Sequence, residues 1–476
     1  MEMQMSDLDL CYLSASQALE LFRRRELSPV ELLKALIERA DQVEPSVNAF
    51  TFTYFDEALE SAKEAEARYM RGEARPLEGI PTAIKDESEI EGWPTSNASF
   101  LMKDYVAETT SLTVERLLAA GVVVHARTAT PEFSIAGVTW SDMWGVTRNP
   151  WSLDYTPGGS SGGSGASLAA GTTTLANGSD IGGSIRIPAS FCGVVGYKAP
   201  YGRNPENPPF NMEYYNHSGA LARNVSDCIL LQNVMSGPHP GDIASLKPKL
   251  IIPTELEAIR GWRIAYSLDL GYKQIDPGVR ANTLGALDVF RDLGAEVQEV
   301  DLGWPQASGK AALDHLGYAM MGCYLREFHA MGAEQMTSYA RWFAEYAAEV
   351  TWREFIEAEM LAGEMYRPLS ALFQEYDLFV CPTIASDGVP ADFDPSVDEI
   401  QVDGMRVEPN LGWAMTYPFN MLSRCPVLSV PSGRAPNGVP TGMQVVGPPY
   451  EDLRVFQAAA AYEGEVGSFC SQERHP

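Results

Sequence analysis

Histidine and cysteine are scarce in this sequence, and basic residues are outnumbered. Seven cysteines, at 11, 192, 228, 323, 381, 425 and 470, form no CxxC pair and no zinc-ligand spacing, so neither a disulfide scaffold nor a zinc module is expected. An odd, scattered set reads as mostly buried thiols in a reducing cytoplasm. Lysine and arginine number 35 against 63 acids, a formal charge of −28 that repels phosphate backbones and anionic membranes. Neither nucleic acid nor a membrane is therefore expected as a partner, and the acidity reads first as solubility. No window approaches the roughly 18 unbroken apolar residues of a membrane span. Met1–Asp9 has no basic n-region and no apolar h-region, so no secretory signal is expected. There is no GxxxxGK[ST] phosphate loop, no internal repeat and no low-complexity tract.

What remains is ordinary globular composition, 45% apolar and 21% charged, with ample material for a large core. A length of 476 residues suits two or three domains or one large α/β unit. Ser14 with Gln17, and Ser28 with Pro29 and Glu31, are N-cap signatures for two opening helices. Leu32, Leu33, Leu36, Ile37 and Ala40 recur at helical spacing after the second, and Pro45 marks its expected stop. A third helix is expected over about 56–71. From Leu77 onward, short strands alternate with helices and Gly/Pro turns: Thr82–Lys85, Val122–Arg127 after a helix at Leu112–Ala120, and Gly193–Lys198. This alternation favours a layered α/β fold. Strands at Arg263–Ser267 and Ala295–Asp301 flank a helix at about 279–293, and a long helical stretch covers about 311–374. Leu378–Pro382 resumes strand character, Asp387–Gly404 reads as a surface loop, and Pro436-Asn437-Gly438 as a hairpin turn between two last strands. The expected organisation is N-terminal helices over 1–75, a core of 76–250 with 376–476, and a helix-rich insertion or cap over 251–375, in one continuous catalytic domain.

Chemistry concentrates in two glycine–serine clusters, Thr156-Pro-Gly-Gly-Ser-Ser-Gly-Gly-Ser-Gly-Ala166 and Gly178-Ser-Asp-Ile-Gly-Gly-Ser-Ile-Arg-Ile-Pro188. The first feeds an Ala-rich helix, Ala166–Ala170. The second places the consecutive amides of 181–184 at a tight turn, where they can converge on one oxygen as an oxyanion hole. A flexible linker is disfavoured because Pro157, the helix and Arg186–Pro188 hem the glycines in. A dinucleotide fingerprint finds an acid at Asp180 but has no use for the second cluster. Gly158–Gly162 and Gly159–Gly163 both match the G-x-S-x-G elbow of α/β-hydrolases, which requires a downstream Asp and His. His217 is the best histidine for that role, so a Ser-His-Asp esterase stays open as an alternative.

These clusters, the upstream Gly79-Ile-Pro-Thr-Ala-Ile-Lys-Asp86, the lead-in Thr147-Arg-Asn-Pro-Trp151 and the C-terminal Pro431, Asn437–Gly442 and Gln444–Pro449 together resemble the amidase signature family, across about residues 10–465. The resemblance implies a central twisted mixed β-sheet covered by helices on both faces. It also implies an amide hydrolase working through an acyl-enzyme, without metal or organic cofactor. Carried over position by position, the nucleophile falls on Ser184, the relay serine on Ser160 and the lysine base on Lys85. The oxyanion amides fall on Ile181, Gly182, Gly183 and Ser184, and loop support on Ser161, Asp180 and Arg186. Asn177 and Ser179 depart from the family pattern and are expected to leave the triad untouched.

A lysine in water, with a pKa of about 10.4, is protonated and cannot serve as a base, whereas burial lowers that value. Lys85 ends an apolar strand, which suits burial. Asp86 and Glu87 follow directly and are expected to point away, because a nearby carboxylate raises an amine's pKa. Tyr201–Asn216 is expected to lie over the site. Ile135, Trp140, Trp144, Tyr214 and His217 are candidate pocket residues, favouring small apolar or aryl amides, with esters and carbamates (a urethanase-type activity) also accepted. The resemblance also takes in components of tRNA-dependent amidotransferases, so a non-catalytic amidotransferase-like subunit is a further alternative. A cytoplasmic monomer or homodimer acting on a small-molecule amide, ester or carbamate is the combined expectation.

Overall fold

The computed structural model describes residues 6–476. Its strands are β1 (Phe50–Thr53), β2 (Pro81–Lys85), β3 (Val123–Thr128), β4 (Trp140–Ser141), β5 (Gly145–Val146), β6 (Leu175–Ser179), β7 (Val195–Lys198), β8 (Ser218–Ala222), β9 (Arg263–Tyr266), β10 (Glu296–Glu299), β11 (Leu378–Pro382), β12 (Ile400–Val402), β13 (Met405–Val407), β14 (Val427–Arg434) and β15 (Pro440–Val446). Eleven of them form one mixed sheet in the order β1-β3-β2-β6-β8-β7-β14-β15-β11-β9-β10. β3, β2 and β6 are mutually parallel neighbours, and β6 turns antiparallel against β8. The long β14–β15 hairpin closes through the turn expected at 436–438.

Successive residues of a strand face opposite sides of a sheet, and β11 shows what each side meets. Leu378 and Val380 join a core built with the N-terminal helices, the helix Val225–Met235 and the helix Asp452–Val466. Phe379 and Cys381 join a second core built with the helices between 308 and 372 and the loop carrying Trp413 and Tyr417. The mixed sheet is thus covered by helices on both faces, the layered α/β architecture expected.

The opening helices start where their caps put them. Ser14 and Ser28 each accept amide N–H groups of the first turn, reciprocated by Gln17 and Glu31. The second helix runs to Val47, past Pro45. A proline this close to a C-terminus removes an N–H from the last turn only, and Asn48 closes the helix in the left-handed region.

Within 251–375, β9 and β10 pair with each other and through β9 with β11, so this stretch supplies the far edge of the main sheet. Its helices, Ser308–Tyr318, Met320–Gly332, Ser338–Glu349 and Trp352–Leu372, form the cover over the second core. The segment 387–404 is not loop throughout: Ile400–Val402 opens a two-stranded hairpin with β13. All seven cysteines are free thiols, and six are buried, Cys323 being the exposed one. Among the described residues, no helix is long and apolar enough to cross a membrane.

Candidate active site

Lys85 is the last residue of β2, and Ser179 the last of the adjacent parallel strand β6. The carboxyl ends of two parallel strands therefore open onto the same place, the usual position for a site in such a sheet. Asn177 ties them together: its Oδ1 accepts the Lys85 amide N–H at 2.8 Å and its Nδ2 donates to Ser88 Oγ at 2.9 Å.

The first glycine cluster delivers Ser160 to this point. The helix that follows spans Gly162–Ala170, starting inside the cluster rather than at Ala166. Glycine is a poor helix former, but a Cβ at Gly163 would strike the Ala129 backbone and lie 2.5 Å from the Ala49 carbonyl oxygen. The helix N-terminus is packed directly on main chain, and only glycine permits it. Lys85 has no solvent exposure. Its Nζ lies 2.7 Å from Ser160 Oγ and 2.9 Å from Ser179 Oγ. Burial pushes the Lys85 amine below its ordinary value, against an opposing pull from Glu87. An uncharged amine beside a hydroxyl is an acceptor for that hydroxyl's proton.

Two expectations about the surroundings of Lys85 are corrected. Asp86 does turn away, its carboxylate bonded to Ser96 and 3.8 Å from Arg127. Glu87 does not: its Oε2 lies 3.1 Å from Lys85 Nζ. The chain turns back after β2, so position 87 faces the amine across the turn. Burial works to raise the Glu87 carboxyl, but Lys85 and the hydroxyls of Ser134 and Ser179 hold it below its usual value. Ser179 likewise does not leave the lysine untouched, since it is one of three polar groups on Nζ.

The second cluster forms a turn between β6 and the helix Arg186–Cys192. Before it, the Asp180 N–H donates to the His217 carbonyl at 2.7 Å; after it, the Ile185 N–H donates to Asp180 Oδ2 at 3.3 Å. The four amides between them, Ile181 to Ser184, donate to no group among the described residues. A run of unpaired N–H groups in a turn can bind an anion. Gly183 has φ +136°, and a Cβ there would sit 2.6 Å from Thr416 Cβ. Ser184 keeps 8% of its surface exposed. The Ser161 N–H donates to the Ser184 carbonyl at 3.1 Å, which holds the two serine segments side by side.

Asp180 and Arg186 lock this turn. Arg186 Nε and Nη2 donate to the two Asp180 oxygens at 2.9 and 2.8 Å, with neither residue exposed. The remaining guanidinium protons reach the Thr416 carbonyl, Gln444 and Asn420 at 2.9, 2.7 and 2.7 Å. Burial alone would raise the Asp180 carboxyl, but Arg186 holds it well below the usual carboxylate range.

A cavity of about 350 Å³ opens beside Ser160, Ser179 and Ile181. Glu206–Phe210 and Asn216, from the loop expected over the site, form one wall, and Phe133, Met321 and Tyr324 form an apolar one. Ile135, Trp140, Trp144, Tyr214 and His217 are not on its walls. Ile135 packs at the margin of the second core. Trp140 and Trp144 spend their indole N–H groups on the Phe393 carbonyl and Ser96 Oγ, both at bonding distance inside the protein. Tyr214 turns to Glu359. His217 has its ring nitrogens 3.1 and 3.3 Å from the carbonyl oxygens of Asp180 and Ser423, touching neither serine. Burial, with Lys198 nearby, pushes its pKa down to about 3. The Ser-His-Asp alternative has no histidine where it needs one. Of the aromatics that do face the cavity, Phe210 lies in the segment expected over the site, whereas Phe133 and Tyr324 carried no motif in the sequence.

Known proteins share this architecture. A sequence model of the family "Amidase" matches residues 31–456. The acylamidase of Rhodococcus erythropolis is 34% identical over 468 residues, covering 96% of each chain. A glutamyl-tRNA(Gln) amidotransferase subunit of Symbiobacterium thermophilum is 33% identical over 489 residues, covering 95% of this chain and 96% of its own. The crystal structure of a bacterial aryl acylamidase of the amidase signature family superposes with a TM-score of 0.88 at 30% identity, covering 95% of this chain and 96% of its own. The chain belongs to the amidase signature family and is an amide-hydrolysing enzyme.

Proposed function

We propose that the enzyme cleaves small apolar or aryl amides through an acyl-enzyme on Ser184, with Ser160 as relay and Lys85 as base. The observation that carries this reading is the Lys85 amine, wholly buried and 2.7 Å from Ser160 Oγ, next to a turn with four unpaired amides. Neutral Lys85 takes a proton from Ser160, which takes one from Ser184 as its Oγ bonds to the substrate carbonyl carbon. The negative charge that develops on the carbonyl oxygen is met by the amides of 181–184, an interaction worth ~10²–10³ in rate per donor. Ser160 then returns a proton to the leaving nitrogen as the C–N bond breaks. Water, deprotonated through the same pair, releases the acid and restores Ser184. Asp180 and Arg186 keep the donors in place throughout.

The apolar wall of Phe133, Met321 and Tyr324, with Phe210 opposite, supports an apolar or aromatic substrate group. An oxyanion hole senses a carbonyl oxygen, so esters and carbamates of similar shape fit the same chemistry. Six buried free thiols suit a reducing compartment, and we assign the enzyme to the cytoplasm. A panel of p-nitroanilides, p-nitrophenyl esters and aryl carbamates tests the substrate class. Turnover of at least the aryl anilides is expected, and inertness toward every anilide and carbamate would reject the assignment.

A further inference from the structure

The amine of Lys85 has three polar neighbours, Ser160 Oγ at 2.7 Å, Ser179 Oγ at 2.9 Å and Glu87 Oε2 at 3.1 Å. A neutral amine has two N–H donors and one lone pair, so which neighbour faces the lone pair decides whether the base can act. An ionised carboxylate only accepts, so one N–H must point at Glu87. The role proposed for Ser160 puts the amine's lone pair on its hydroxyl, which leaves Ser179 Oγ, at 2.9 Å, to accept the second N–H.

We propose that Glu87 is a positioning residue for catalysis: by accepting one N–H of Lys85, while Ser179 accepts the other, it turns the amine's lone pair onto Ser160, and its charge sets the pH at which that lone pair becomes free. The inference rests on the role proposed for Lys85. Glu87 also lines the cavity beside Ser160, so its carboxylate is fixed at the edge of the reacting groups. The other ionisable groups facing the pair are few. Asp180, from the turn after β6, acts on Lys85 at longer range. Glu206, from the loop over the cavity, and Tyr324, from the helix Met320–Gly332, face Glu87. Ser134, beyond β3, and Glu89 line the same cavity. None of these bonds directly to the amine.

The sign follows from charge. A carboxylate at 3.1 Å favours the ammonium form of Lys85, so removing the charge lowers the pH at which the base is released. The dependence of kcat/KM on pH reads this group in the free enzyme. In Glu87→Gln, the acid limb of that profile should move down by about 1–3 pH units, the range for an opposite charge at contact. In Ser179→Ala, the carboxylate stays but the second N–H loses its acceptor. The plateau of kcat should then fall, on the order of tenfold to 10² for a misaligned reacting group, with the acid limb unmoved. A limb that stays where the parent enzyme has it in Glu87→Gln would overturn the proposal, and so would a Ser179→Ala enzyme with undiminished kcat. Turnover surviving in Ser184→Ala would instead reject the triad, and the role of Glu87 with it, so the two failures are told apart.

Discussion

At the residue scale, the proposed chemistry depends on a lysine stripped of water. Lys85 has no exposure, and burial acts in the direction that frees its lone pair. His217, 4% exposed, has its ring nitrogens against two backbone carbonyls and touches neither serine. The two residues give opposite expectations. Lys85→Met should lower kcat by at least 10²–10⁴, about what a general base supplies. His217→Ala should stay within about tenfold, well short of that figure. Steady-state assays on the two variants check both, and the reverse ordering would favour a Ser-His-Asp reading. Lys85, Ser160 and Ser184 are legible in the sequence because each sits in a local motif whose glycines and apolar residues are constrained by backbone packing. Glu87 and Ser179 are not. Whether a side chain turns toward an amine is decided by the path of the chain after β2 and by the neighbouring strand, and neither leaves a motif.

At the scale of elements, the turn 180–184 connects β6 to the helix Arg186–Cys192 and has no regular hydrogen bonding of its own. Its shape is imposed from both ends by the Asp180–Arg186 pair, and from the side by Thr416, Asn420 and Gln444. Arg186→Met removes one partner of a buried pair and strands the other charge. The expected loss of stability is about 3–5 kcal/mol, read as a lowered midpoint in urea, together with collapse of kcat as the amides lose their common direction. Stability unchanged in that variant would mean that the turn holds its form unaided. Caps and glycines made the element starts readable, as at Ser14 and Ser28. The helix at Gly162 begins earlier than its alanine content suggests, because tertiary contact with Ala49 and Ala129 overrides glycine's poor propensity.

At the scale of the whole molecule, Lys85 and Ser160 meet where β2 ends and the first glycine cluster opens its helix, and the bond from the Ser161 N–H to the Ser184 carbonyl holds the turn before Arg186 alongside. The family resemblance anticipated the two-sided α/β sheet. The strands near 263–267 and 295–301 are expected from the sequence, but their pairing through β11 at the far edge of the main sheet is not, since a strand's own pattern does not name its neighbour. Of the cavity wall, the sequence points to the segment 201–216 that carries Phe210, but not to Phe133, Met321 and Tyr324, which come from separated segments that only the folded chain assembles. The convergence is tested most directly by reacting the enzyme with a fluorophosphonate and mapping the modified peptide by mass spectrometry. The account predicts a single adduct on Ser184, formed far more slowly in Lys85→Met. An adduct on Ser160 or on any other serine, or no adduct in an enzyme that turns over amides, would contradict it.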